Sequence, residues 1–129
     1  MNFLTRSQAL GRVPVTIFHL HDRINLGNTK ELERAAQDAF AQGARHLLLD
    51  LAEAPSITSA GLSSLTLIYK LFGRAEAGAD EAVALESPRP VANLKLCHVA
   101  PEVRKVLGFV GLDDYIGMYD SLAEAVAAF

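Results

Sequence analysis

Between residues 46 and 72 the chain changes its hydrophobic period, and that change constrains both the architecture and a candidate site. Residues 46–51 carry Leu47, Leu48 and Leu49 in a row, a run without polar alternation that suits a strand covered on both faces. Further on, Leu62, Leu65, Ile68, Tyr69 and Phe72 recur at helical spacing, so a helix over 60–72 is predicted. Ser59 falls at the junction. Its hydroxyl is expected at the end of a sheet beside unpaired helix N–H groups, whose partial positive charge would stabilise a phosphate esterified to it. Phosphorylation would add a charge of about −1.5 to −2 and three acceptor oxygens to a patch of small neutral residues. Serine is also favoured as an N-cap, a role for which Thr58 competes; the two readings are compatible, because a capping hydroxyl lies near the amides that would hold its phosphate.

The rest of the chain repeats the strand–helix alternation. Residues 2–7 read as a first strand, with Gly11 in the turn after it. Val13, Val15 and Ile17 share one side of a second strand over 13–20, His19 continues that side, and Phe18 and Leu20 occupy the other. After a loop at 22–27, Asn28 with Glu31 reads as a capping box. Leu32, Ala35, Ala36, Ala39 and Phe40 form the apolar stripe of a first helix, which Gly43 closes. Leu94, Leu96 and Val99 mark another strand. Pro101 opens a short helix with Val103, Val106 and Leu107 inward and Gly108 at its end. Residues 115–118 suit an edge strand, and Ser121 with Glu124 caps a closing helix with the stripe Leu122, Ala125, Val126 and Phe129. Residues 73–92, rich in Gly, Ala, Pro and acidic side chains, read as an insertion or mobile loop with a short strand near 82–86. Strands alternating with helices imply an α/β fold: one domain over 1–129 with a mixed, mostly parallel central sheet of four to six strands and about four flanking helices.

Composition excludes several function classes. A net charge of −3 with no Lys/Arg cluster argues against direct nucleic-acid binding, which needs a basic face. The single cysteine, Cys97, forms no internal disulfide and suits a reducing compartment. No apolar run approaches about 18 residues, so no membrane span is expected, and the first residues lack the basic-then-apolar order of a secretion signal. A cytoplasmic location follows as the expectation.

The segment Ile57-Thr58-Ser59-Ala60-Gly61-Leu62 after Leu49-Asp50-Leu51 resembles the signature of STAS domains, specifically of bacterial anti-sigma-factor antagonists. Residues 32–43 resemble that family's first helix, 93–101 its strand entering the third helix, 106–116 with Gly111-Leu112 its late Gly-Leu turn, and 119–129 its closing helix. The resemblance implies the STAS fold and a role as a phosphoprotein in transcription regulation. Ser59 would be phosphorylated by a partner that is both serine kinase and anti-sigma factor. Unphosphorylated Ser59 would bind that partner and free the sigma factor, and a PP2C-type phosphatase would reset the cycle. Asp22, Arg23, Asn25, Asn28, Thr58, Ala60, Gly61 and Ser63 are the candidate partner-binding residues. The sequence departs from the family pattern at Thr58 and Asn25, where aspartates are usual, and at Asp22, where glycine is usual. Those departures favour an alternative in which Ser59 stays unmodified and the domain is a scaffold subunit of a larger signalling or lipid-transport complex. A homodimer is left open.

No enzymatic reading emerges. Ile57 stands where a hydrolase elbow would need glycine, no Gly-rich phosphate loop is present, and no nucleophile, base and orienting acid assemble in the sequence. His19 and His21 share a strand face, with only Cys97 and His98 as further candidates, so neither a metal nor a cofactor is expected. His46 and His98 read as strand-end residues. Ser63 and Ser64 are expected in the first helical turn with exposed hydroxyls.

Overall fold

The computed structural model describes residues 3–77 and 93–129. Its first two strands, β1 (Leu4–Leu10) and β2 (Pro14–Leu20), form an antiparallel hairpin in which Leu4 faces Leu20 and Leu10 faces Pro14. β1 runs three residues past the expected end at 7, because its hairpin partner extends that far. After helix α1 (Thr29–Ala41), strands β3 (Leu47–Asp50), β4 (Leu94–Cys97) and β5 (Gly117–Tyr119) add in parallel, giving a five-stranded sheet ordered β1-β2-β3-β4-β5. Helix α2 (Ser59–Ala77) joins β3 to β4, α3 (Pro101–Val110) and a 3-10 turn (Leu112–Asp114) join β4 to β5, and α4 (Leu122–Ala127) closes the chain. The expected mixed, mostly parallel α/β domain with four helices is what the structure has.

Alternation along the strands sorts the core into two layers. Phe18, Leu20, Leu47, Leu49, Leu94 and Leu96 pack beneath Leu32, Ala36 and Ala39 of α1, Leu65, Ile68 and Phe72 of α2, and Val103 and Leu107 of α3. Val15, Ile17, Leu48 and Cys97 point to the other face, where Ala125, Leu122, Val126 and Phe129 cover them. Three helices therefore cover one face, and the single six-residue α4 covers the other. The continuous leucines of β3 follow from this: both of its faces are buried.

Local chemistry moved several boundaries. α2 continues to Ala77, because alanines beyond a buried Gly73 sustain helix. Residues 73–77 of the segment read as an insertion or mobile loop are thus helical, and its remainder, with the strand expected near 82–86, lies outside the described residues. Asn28 precedes α1 but makes no side-chain cap; its amide turns back into the preceding loop instead. α3 passes Gly108 and ends at Gly111, whose φ of 82° supplies the left-handed C-cap. Gly43 does close α1 as expected, at φ 107°. Ser121 accepts from the Glu124 amide at 3.1 Å and donates to Glu124 Oε1 at 3.3 Å, so the closing helix is capped as predicted.

Candidate functional site

Two loops meet at the C-terminal end of the parallel strands. Ile24 and Ile57 form an isolated parallel bridge. The Ile24 amide donates to Ser56 O at 3.0 Å, and the Thr58 amide donates to Ile24 O at 2.9 Å. The loop leaving β2 is thereby stitched to the loop entering α2.

Thr58 takes the capping role. Its carbonyl accepts from the Leu62 amide at 2.9 Å, and its hydroxyl lies 3.4 Å from both the Gly61 amide and Ile24 O. Ser59 is the first residue of α2 and exposed, and its hydroxyl has no partner among the described residues. The amides of Ser59 and Ala60 likewise have no acceptor there, and the first turn carries no acidic side chain. The positive end of a 19-residue helix thus opens beside a spare hydroxyl, an arrangement that favours anionic oxygen.

The other predicted residues divide. Asp22 and Arg23 are exposed, Asn25 and Asn28 half-buried. Asp22 Oδ1 accepts from the Arg23 amide at 2.7 Å, and Asn25 Oδ1 accepts from the Gly27 amide at 2.8 Å. Asn28 Oδ1 accepts from the Asn25 amide at 3.0 Å, and its Nδ2 donates to Arg23 O at 2.8 Å. Asn28 is a strut of the loop, which reaches Thr58 through Ile24. Ala60 is half-buried and Ser63 exposed. Gly61 is buried, and an added Cβ would stand 2.5 Å from Ile57 Cγ1 and 2.8 Å from Ile24 Cγ2. It lets the helix sit close on the two isoleucines. Ser64 corrects an expectation: it is fully buried and donates to Glu33 of α1. Sequence reasoning missed Leu26, 78% exposed in the 22–28 loop; a lone leucine among Asn and Gly was the available signal.

A second polar group lies on the α4 face. His19 Nδ1 donates to Asp50 Oδ2 at 2.7 Å, and its Nε2 accepts from the Ser7 hydroxyl at 2.8 Å. His21 Nδ1 donates to Glu53 Oε2 at 3.0 Å and its Nε2 accepts from the Thr5 hydroxyl at 2.7 Å. His98 Nδ1 donates to Asp50 Oδ1 at 2.9 Å. Cross-strand register thus aligns two hydroxyl–imidazole–carboxylate series whose members are scattered in sequence. Ser7 sits mid-strand in the edge strand β1, not at the sharp turn that presents a hydrolase nucleophile. Partial burial raises the Asp50 carboxyl, but hydrogen bonds from His98, His19 and the Ala52 amide outweigh it and hold the group below the usual carboxylate range. Burial, reinforced by the Asp50 charge, pushes the Cys97 thiol up to about 12. His46, before β3, stacks edge-on against Phe129 at 5.8 Å. Burial lowers its pKa, the bond to Pro14 opposes that shift and nearby Lys95 adds to it.

A mixed five-stranded sheet with its polar helix mouth at the strand ends defines the class, and comparison supplies the family. The model of the STAS domain family matches residues 6–79, and the chain belongs to that family. The fold is similar to that of a candidate anti-sigma factor antagonist from Thermotoga maritima, with a TM-score of 0.76 and 20% identity over 95% of this chain and 90% of that one. It is similar to an anti-sigma factor antagonist from Mycobacterium paratuberculosis, with a TM-score of 0.69 and 20% identity over 97% and 92%. The Bacillus cell fate determinant SpoIIAA, solved in its phosphorylated form, aligns with a TM-score of 0.63 and 17% identity over 94% and 93%. No curated protein matches the chain. Among the described residues no helix is long and apolar enough to cross a membrane.

Proposed function

We propose that this chain is a phosphorylation-switched binding module, a non-catalytic anti-sigma-factor antagonist whose switch is Ser59. The observation that carries the reading is the exposed Ser59 hydroxyl at the first position of α2, with the capping role already filled by Thr58. The partner we propose is a serine kinase that is also the anti-sigma factor, with a PP2C-type phosphatase to reverse the modification; membership of the STAS family and likeness in fold to anti-sigma factor antagonists support this reading.

The mechanism is electrostatic and local. Neutral Ser59 docks with Thr58, Ala60 and Ser63 of the helix mouth and with a rim of Asp22, Arg23 and Asn25, while Asn28 and Gly61 hold those surfaces in place. Leu26 adds an apolar contact at the rim. A phosphoryl group on Ser59 would be steadied by the free amides of Ser59 and Ala60, so the domain need not refold. Its charge resists desolvation at the partner surface and repels acidic groups there. A loss of a few kcal/mol lowers affinity by two or more decades.

The test compares wild type, Ser59→Ala and Ser59→Asp for affinity to the cognate kinase. Ser59→Ala should bind as wild type does and Ser59→Asp should lose affinity; equal affinities defeat the proposal. Thr58 in place of the family's aspartate supports the scaffold reading, and intact mass after incubation with kinase and ATP separates the two. A lasting absence of a phosphate adduct assigns the scaffold.

A further inference from the structure

We propose that Asp50, Cys97 and His98 form a binding site for a zinc-type divalent cation, with His19 orienting the carboxylate and one coordination position left open to solvent. The three candidate ligand atoms all lie within 4.8 Å of one another. His98 Nδ1 is 2.9 Å from Asp50 Oδ1 and 3.8 Å from Cys97 Sγ. Tetrahedral metal–ligand bonds of about 2.0–2.3 Å put ligand atoms roughly 3.3–3.8 Å apart, so small rotations of these side chains admit the ion.

Strand register brings the ligands together. Asp50 and Cys97 are direct partners across β3 and β4, on the face where α4 packs. His98 follows at φ 55°, the one positive φ outside glycine among the described residues. A left-handed residue with a Cβ costs about 1–2 kcal/mol and here accompanies an imidazole returned to Asp50. The supports of a metal site are also present. His19 Nδ1 donates to the second carboxylate oxygen, Oδ2, at 2.7 Å, and the Ala52 amide donates to Oδ1 at 3.1 Å. The Asp50 carboxylate, an acceptor only, fixes the His19 proton on Nδ1, and Ser7 donates to Nε2 at 2.8 Å.

The donor set selects the metal. A thiolate, an imidazole and one carboxylate oxygen suit zinc or cobalt, whereas calcium and magnesium take oxygen ligands. Cys97 is buried and the His98 side chain is 37% exposed, so the fourth position faces water, as in three-ligand zinc sites. Binding must displace the Cys97 thiol proton to solvent as the sulfur–metal bond forms, and the His98 proton moves from Nδ1 to Nε2. A dication supplies the charge that makes the thiolate stable. The site lies on the sheet face opposite α2, so its test is independent of Ser59.

The experiment titrates the metal-free full chain with zinc by calorimetry and with cobalt by absorption. One equivalent should bind saturably, release one proton, raise the melting temperature and produce a thiolate-to-cobalt charge-transfer band. Cys97→Ser should abolish that band. Because Cys97 is buried, His98→Gly serves as a second variant, since glycine accepts the left-handed backbone; it and Asp50→Asn should each weaken binding at least about tenfold, and His19→Ala by about 10–100-fold. His46→Gln, outside the cluster, should bind as wild type does. Absence of saturable uptake, uptake without the thiolate band, or undiminished binding by His98→Gly and Asp50→Asn overturns the assignment.

Discussion

The helix mouth at Ser59 and the imidazole cluster around Asp50 lie at the same end of the parallel strands, on opposite faces of the sheet, and use opposite strategies. At the mouth the side chains are small and neutral, and the polar capacity resides in backbone amides and one spare hydroxyl. In the cluster the charge is already present, and each member satisfies another: Ser7 with His19, His19 and His98 with Asp50. A site built from backbone is contiguous in the chain and waits for charge to be added. A site built from side chains on β1 to β4 exists only after the strands pair.

The contrast can be broken or sharpened by mutation. The largest effect is expected at the mouth: Ser59→Asp should weaken the kinase complex about a hundredfold, ~2.7 kcal/mol, while chemical denaturation of the free domain shifts by no more than about 0.5 kcal/mol, as for an exposed residue. A stability loss of equal size would show that Ser59 holds the fold and not the partner. Gly61→Ala comes next. Its Cβ would meet Ile57 Cγ1 at 2.5 Å and the Ile24 carbonyl oxygen at 3.1 Å, so overpacking should cost about 1–3 kcal/mol and also reduce partner affinity by displacing the first turn. Unchanged urea midpoints would remove Gly61 from its positioning role. Ser121→Ala, on the α4 side, should cost about 1 kcal/mol through the lost cap and leave partner affinity untouched.

The smallest effect is a pH slope. Burial favours neutral His46 in the folded chain, so above its ordinary pKa near 6.5 both states are neutral and it contributes nothing. As pH falls through that value the unfolded chain gains the proton first, and stability declines until the folded pKa is passed. His46→Gln should flatten that part of the stability–pH curve, measured by urea midpoints between pH 7 and pH 5. An unaltered slope would show that His46 does not cause the decline.

Legibility followed the range of the interactions. The β3 leucines, the stripes of α1, α2 and α4 and the Ser121–Glu124 cap were readable, because each depends on neighbours within a few residues. Asn28 misled for the same reason: its spacing to Glu31 fits a capping box, but the Arg23 carbonyl and Asn25 amide of the folded loop compete for its side chain and win. Ser64 looked exposed in a first turn until α1 packed against α2 and brought Glu33 to it. Choosing between Ser59 and Thr58 as cap needed the bridge of Ile24 to Ile57, which places Thr58 below the helix and turns Ser59 outward.

By itself the sequence determined the α/β alternation, the two-sided burial of the central strands and the serine at the strand-to-helix junction, because hydrophobic period and capping chemistry act along the chain. Tertiary structure alone decided how tightly Gly61 packs on its neighbours, and that His19, Asp50, Cys97 and His98 converge. Those outcomes depend on strand register and on the close approach of α2 to Ile24 and Ile57, distances that no spacing in the chain encodes.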